Sequence, residues 1–384
     1  MSSWRLPLLL SACLAAPLLA ADASVLVGDG TQARGPATSD GRSITVGAAA
    51  IPLDRLVAAR FNATVAGNVD QGVVLVDGDV IAGVVVGVQS EKVELASDRF
   101  GTRTLPLANV AGLILAPQQL TALAHIGDEP AGGRLLNGDR LAGSVTFLNP
   151  AAAGINNGKR IIELPRERLS LIRTGTAAGA KDGSTTAVQR VRLITGERIS
   201  GTLVKLDATT LTLKHAVLGE LAVPVALVAS VWSEGGAVTS LTTLSAKVTQ
   251  AGFLGPATLP RADGPANDGP VAVVGGMAER ALRIQAECAL TYTLDGASDV
   301  LVGEVALDPR AVGRGNAAIE VLGDNKSLVR IELGDGAVHP LNVPLTGVRS
   351  LVLKTTSGPD QSTTGDLVTW SWPVLVRGVP TAAR

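Results

Sequence analysis

The sequence predicts an all-β protein in which a tandem array of small β units precedes a larger β-sandwich. Three observations predict it. The 384 residues hold 44 Gly and 20 Pro among abundant Val, Leu and Thr, a composition of short strands and many turns. A short motif recurs at near-constant spacing through the first half. Beyond about Thr239 that spacing stops, and strands are expected at 289–294, 300–307, 317–321, 328–333, 348–354 and 367–376, with Gly, Asp and Pro between them.

The recurring motif is G-[D/E]-x-[I/L]-x-G, found at Gly78–Gly83, Gly138–Gly143 and Gly196–Gly201, with starts 60 and 58 residues apart. An apolar-Pro pair follows each copy (Leu105-Pro106, Leu164-Pro165, Val223-Pro224), then a short apolar strand ending near Leu115, Ile172 or Trp232. A shorter copy runs from Val25 to Ile51-Pro52. The Gly-Asp pair predicts a turn between two strands, and the second Gly a sharp bend or a close backbone approach. The Pro belongs at a strand start or a sheet edge, because it cannot donate to a central ladder. Asp79, Asp139 and Glu197 are read as turn residues. Each unit resembles a small SH3-like or Sm-like barrel. Units of this size bury only about 60% of their unfolded surface, so neighbours are expected to pack together. The expected units are 24–66, 67–116, 128–175 and 187–235, with connections at 117–133 and 175–189.

Residues 1–23 read as a secretory signal peptide: Arg5, the apolar run Leu6–Ala20, then the small-x-small site Ala21-Asp22-Ala23. Export to the periplasm or exterior follows, with no transmembrane span after signal removal. Leu10-Ser11-Ala12-Cys13 supplies a minority lipoprotein reading through Cys13. Cys288 is then alone in the mature chain, so packing without an internal disulfide must hold the fold. A net charge of -1, with nine aromatics and three His, argues against nucleic acid as a partner and against a multi-histidine metal centre.

The second half carries an ordered set of short motifs. Gly275-Gly276 precedes Leu282-Arg283-Ile284-Gln285-Ala286, Leu290-Thr291-Tyr292-Thr293-Leu294-Asp295-Gly296 and Val302-Gly303-Glu304-Val305-Ala306-Leu307-Asp308. Val321–Leu328, Val348–Leu353 and Gly365-Asp366-Leu367-Val368-Thr369-Trp370 follow. Together they resemble the NPCBM family, a carbohydrate-binding module found beside glycoside hydrolases. The resemblance covers residues 239–380. It implies a jelly-roll sandwich similar to galactose-binding domains, a glycan or polysaccharide partner, and no catalytic residues. Ala306 and Ile319 stand where that family carries aromatic residues.

Pyranose recognition uses an aromatic face together with hydrogen-bonding side chains. The candidate ligand residues are therefore Trp370, Trp372 and Tyr292, with His339 in an expected loop and Asp308 and Asp366 at strand ends. Alternation places Trp370 and Trp372 on one face of one strand. The Asp residues also suit turn capping or a structural Ca²⁺ assembled from separate loops. No P-loop, G-x-S-x-G elbow or H-E-x-x-H occurs, which favours a protein that is not an enzyme. Two functions remain: glycan binding by the C-terminal domain with the repeats as spacers, or a structural protein that docks envelope proteins after losing sugar affinity. Exposure of Trp372 and Tyr292 favours the first and their burial the second.

Overall fold

The Gly-Asp motif makes the same turn in every unit. Leu75, Leu135 and Leu193 each donate their backbone N–H to the carbonyl of the motif acid, at 2.8, 2.8 and 2.9 Å, and Val27 does the same to Thr31 at 3.0 Å. The second Gly is needed for close approach. A Cβ at Gly83, Gly143 or Gly201 would lie 2.6, 2.4 or 2.6 Å from a carbonyl oxygen of the facing strand. Pro52, Pro106, Pro165 and Pro224 each end a strand and lead into a one-turn 3₁₀ helix. Those strands have a partner on one side only, where a missing N–H costs no ladder bond.

The computed structural model describes residues 22–61, 64–124, 126, 130–175, 187–250, 271–274, 276–334 and 336–378. The expected leader, apart from Asp22 and Ala23, lies outside them, as do Cys13 and Gly275; the first strand is Asp22–Val27. Among the described residues no helix is long and apolar enough to cross a membrane.

The array is nested. The last strand of the first unit, Leu56–Arg60, pairs with that of the fourth, Val228–Glu234. That of the second, Val110–Ile114, pairs with that of the third, Leu169–Arg173. Each pair makes a second contact, Ser39 with Leu206 and Val88 with Leu148. Val80 opposite Arg198 joins the two pairs. A 16-stranded antiparallel sheet therefore runs through all four units, a six-stranded sheet joins units two and three, and one core from Ala23 to Val231 is shared by all.

Buried charge fixes this nesting and corrects the reading of two turn acids. Asp139 is exposed in its turn, as expected. Asp79 and Glu197, at the same motif position, are fully buried and reach across to each other's unit. Asp79 accepts from Arg190 at 3.1 Å and from the Ser200 hydroxyl at 2.6 Å, while Glu197 accepts from Arg99 and from the Ala82 N–H. Burial alone would raise the Asp79 pKa, but the His215 and Arg190 contacts hold it below the usual carboxylate range.

The C-terminal region is a sandwich of two five-stranded antiparallel sheets. One contains Val238–Ser240, Ala281–Gln285, Val300–Leu307, His339–Pro344 and Leu367–Val376; the other contains Lys247–Gln250, Cys288–Thr293, Ala317–Gly323, Lys326–Leu333 and Ser350–Ser357. Their inner faces share a core built on Leu290, Tyr292, Ile319, Leu353 and Trp370. His339 was expected in a loop but opens a strand, opposite Val305. Pro340 is tolerated there because that strand is a sheet edge.

Asp79→Ala leaves the His215 and Ser200 donors buried without their acceptor and Arg190 with Glu234 alone, so it should cost about 3 kcal/mol in chemical denaturation. Asp139→Ala, at the equivalent exposed turn, should change stability by less than about 0.5 kcal/mol in the same measurement.

Candidate functional site

Trp370 and Trp372 do not share a face. The ladder between Val300–Leu307 and Leu367–Val376 shifts register between Val302 and Glu304, so Val302 opposes Val374 while Glu304 opposes Ser371. Two residues, Trp372 and Pro373, oppose Gly303 alone, one more than the ladder needs. Trp372 takes φ 52° at this bulge, a left-handed conformation costly for a bulky residue. Its N–H is held by Arg280 O at 2.7 Å. The bulge sends Trp370 into the sandwich core and Trp372 to the outer face.

That outer face is a seam. Trp372 meets Trp232 of the fourth unit at a ring-centroid distance of 5.9 Å and an interplanar angle of 56°, and Leu26, Val57, Val302 and Val374 pack around them. Repeats and sandwich thus share an apolar contact surface, flanked by Arg60–Glu304 at 2.8 Å and the Asn342 amide on Asp29 O at 2.7 Å.

Burial of the aromatic candidates corrects their assignment. Trp370, Trp372 and Tyr292 are 0%, 1% and 2% exposed, and none presents a ring face to a sugar. Burial also pushes the Tyr292 phenol up from its ordinary value. Asp308 is fully buried, accepts from Arg310 and Thr369 and forms an ion pair with Arg283, which makes it a structural anchor. His339 is half-buried, remote from these groups in its edge strand.

Asp366 lies elsewhere, at the turn before the strand Leu367–Val376. Its Oδ1 accepts from the Asn316 N–H at 2.9 Å, while Asp366 Oδ2 and Asn316 Oδ1 are buried without a donor. Burial, with Asp360 and Glu287 near, pushes its pKa up to about 6. Oxygen ligands suit Ca²⁺, but two such oxygens fall short of the six to eight it takes.

The feature that sequence reasoning missed is a cleft of about 1170 Å³ where the fourth unit, the second unit and the sandwich meet. The strand Val188–Leu193 builds one wall. Val191 and Leu193 enter the array core, and period-two alternation turns Arg190 and Arg192 outward toward the sandwich. Arg192 makes a two-point pair with Glu279 at 2.9 and 2.7 Å. Glu234 is held from three directions, by Arg190 at 2.5 Å, by the Trp232 indole N–H at 3.0 Å and by Arg280. Burial opposes ionisation there, yet Arg280 and Arg190 hold Glu234 well below the usual range. The available signal is Arg190 and Arg192 alternating with Val191 and Leu193 in one strand, since charge in a buried strand needs a partner.

Asp77, Asp79 and His215 also converge beside the cleft, with one candidate ligand atom from each within 4.8 Å of the others. Their hydrogen bonds argue against a metal. His215 Nδ1 accepts from the Val217 and Leu218 N–H groups at 2.9 and 3.0 Å, so the ring proton sits on Nε2 and is donated to Asp79 at 3.1 Å. Asp79 is already saturated, and Arg190 stands against it.

With this geometry in place, comparison with known proteins locates a family. Residues 238–376 match the NPCBM/NEW2 domain. The NPCBM match coincides with the two-sheet sandwich and begins at its first strand. A search of curated proteins finds no match. Solved structures similar to the chain include CBM51 from Clostridium perfringens GH95 in complex with methyl-galactose, 19% identical over 36% of this chain and 99% of that one, TM-score 0.30. The tandem CBM51 modules of Sp3GH98 from Streptococcus pneumoniae are 11% identical over 80% and 88%, TM-score 0.30. CBM51-2 and INT domains from Clostridium perfringens ZmpB, with GlcNAc, are 11% identical over 44% and 36%, TM-score 0.30.

Trp232→Ala should remove about 3–5 kcal/mol and split a single calorimetric transition into two, because the seam loses its central contact. Asp366 has a folded pKa near 6, above its ordinary 3.8, so it stabilises only while neutral and the fold loses stability as pH rises through about 4 to 6. Asp366→Asn keeps the acceptor for Asn316 N–H and removes that charge. Its Tm should exceed wild type by about 2–4 °C near pH 7.5 and match it near pH 4.

Proposed function

We propose that this is an exported, non-catalytic glycan-binding protein, in which the NPCBM domain recognises a polysaccharide and four SH3-like units form its rigid mount. The match of residues 238–376 to the NPCBM/NEW2 domain carries this reading. The nested array supports the mounting role, because it joins the sandwich through the Trp232–Trp372 contact and buried ion pairs. The state of Glu234 on the cleft wall and of Asp79 behind it supports a non-catalytic role, although burial and the Asp79 charge push the Asp77 carboxyl up. Asp79 and Glu234 are held ionised by several fixed donors each, whereas general acid–base work needs a pKa poised near the working pH.

A second reading is a structural or protein-interaction protein of the envelope that lacks sugar affinity. Burial of Trp370, Trp372 and Tyr292 favours it, since the sugar-stacking faces expected from the sequence are absent.

A monosaccharide has about 12 non-hydrogen atoms, and roughly 0.3 kcal/mol per atom gives a dissociation constant in the millimolar range. Single-sugar titrations are therefore a weak test, and polymers presenting many copies a strong one. The full chain should be retained on at least one insoluble or immobilised polysaccharide and released by the matching oligosaccharide. Passage through every column at high protein loading would establish the second reading.

A further inference from the structure

We infer that the cleft between the fourth unit and the NPCBM sandwich is a binding site for a neutral oligosaccharide segment. This rests on the glycan-binding reading and places its site outside the sandwich loops.

Size points first to an extended ligand. The cleft holds about 1170 Å³, above the roughly 300–1000 Å³ of most small-molecule pockets. Charge then narrows the class. Arg190 and Arg280 are offset by Glu234 and Asp79, and Arg377 by Asp295 at 2.6 Å. Lys214 and Asp77 remain on the lining, one of each sign. A phosphate, a uronate chain or a basic peptide would find no net complement there. What the lining offers is an apolar stretch from Val57, Val76, Val188 and Leu244 beside hydroxyls and mixed donors and acceptors, with Thr202 and Lys214 exposed and Ser240, Thr243 and Asp77 half-buried. That inventory suits a neutral polyol.

A second, independent observation points to a missing partner. Trp372 lines the cleft, is 1% exposed, and its indole N–H has no acceptor among the described residues. Trp232, beside it, gives its N–H to Glu234 at 3.0 Å. An orphaned buried donor is costly, and here it sits on a residue already held at φ 52°. Trp372 Nε1 is itself closed to solvent, so a ligand hydroxyl oxygen accepts from it only when the wall moves aside. Because Glu234 is fixed from three sides, the floor is ordered before any ligand arrives.

The test uses the full chain on columns of neutral polysaccharides and of uronate-bearing ones. Thr202→Phe fills the cleft from an exposed position, and Lys214→Ala removes a rim donor; neither touches the ion-paired floor. Lys326→Ala, on the far edge strand, is the control. Wild type and K326A should bind a neutral polymer, while T202F and K214A should lose at least about tenfold in affinity with unchanged Tm. Addition of the matching soluble oligosaccharide should shift wild-type tryptophan emission. Retention by T202F and K214A equal to wild type would overturn the cleft assignment and leave glycan binding standing. Binding confined to uronate-bearing polymers would overturn the neutral-ligand assignment. Wild type that binds no polysaccharide would overturn both the cleft and the broader function.

Discussion

The contact between Trp232 and Trp372 is the constraint on which the arrangement of this molecule depends. Trp372 reaches its partner only because the strand carrying it bulges before Pro373, which has no N–H to give the ladder. Without the bulge, Trp372 would follow Trp370 into the sandwich core by simple alternation. The outer face of the sheet would then lack the bulk that meets the fourth unit. Local strain at one residue is thus exchanged for burial of two indoles at the seam, each worth several kcal/mol by the usual cost of their removal.

Nesting explains why units one and four meet the sandwich together. Units one and four pair through their last strands, as do two and three, so the chain returns to its starting edge before entering the C-terminal region. The buried acids enforce that order. Asp79 can be ionised in the interior only where Arg190 and His215 stand, and both belong to unit four. Glu197 likewise needs Arg99 of unit two. Swapping the pairing would strand these charges, at about 3–5 kcal/mol for each buried pair broken.

Much of this was legible in the residues. The repeat was visible as the Gly-Asp motif and the apolar-Pro pair, because a turn and a sheet edge each demand particular backbone chemistry. Strands 300–307 and 367–376 follow from apolar runs bounded by turn formers. Three things were not legible. A bulge alters alternation by geometry that Trp-Pro only hints at, so Trp370 and Trp372 were assigned one face. His339 was assigned a loop because Pro340 marks an edge and a turn equally well. The roles of Asp79 and Glu197 are set by partners 98 to 136 positions away in sequence, and identical motif chemistry at Asp139 stays in solvent.

Placing recognition at the seam also changes what kind of recognition is available. A sandwich whose described aromatic residues are buried, Trp370 and Tyr292 in its core and Trp372 in the seam, cannot rely on their stacking, so affinity has to come from hydrogen bonds to hydroxyls and from excluded water. Each such bond is worth only about 0.5–1.5 kcal/mol net, and a single ring makes few of them. A cleft long enough for several rings adds these contributions along the chain, and its walls come from two parts of the molecule. The repeats are then more than a spacer: Lys214 and Thr202 belong to unit four, Ser240 and Thr243 to the sandwich, and the ion-paired floor to both. Separating the two halves would leave each with half a site.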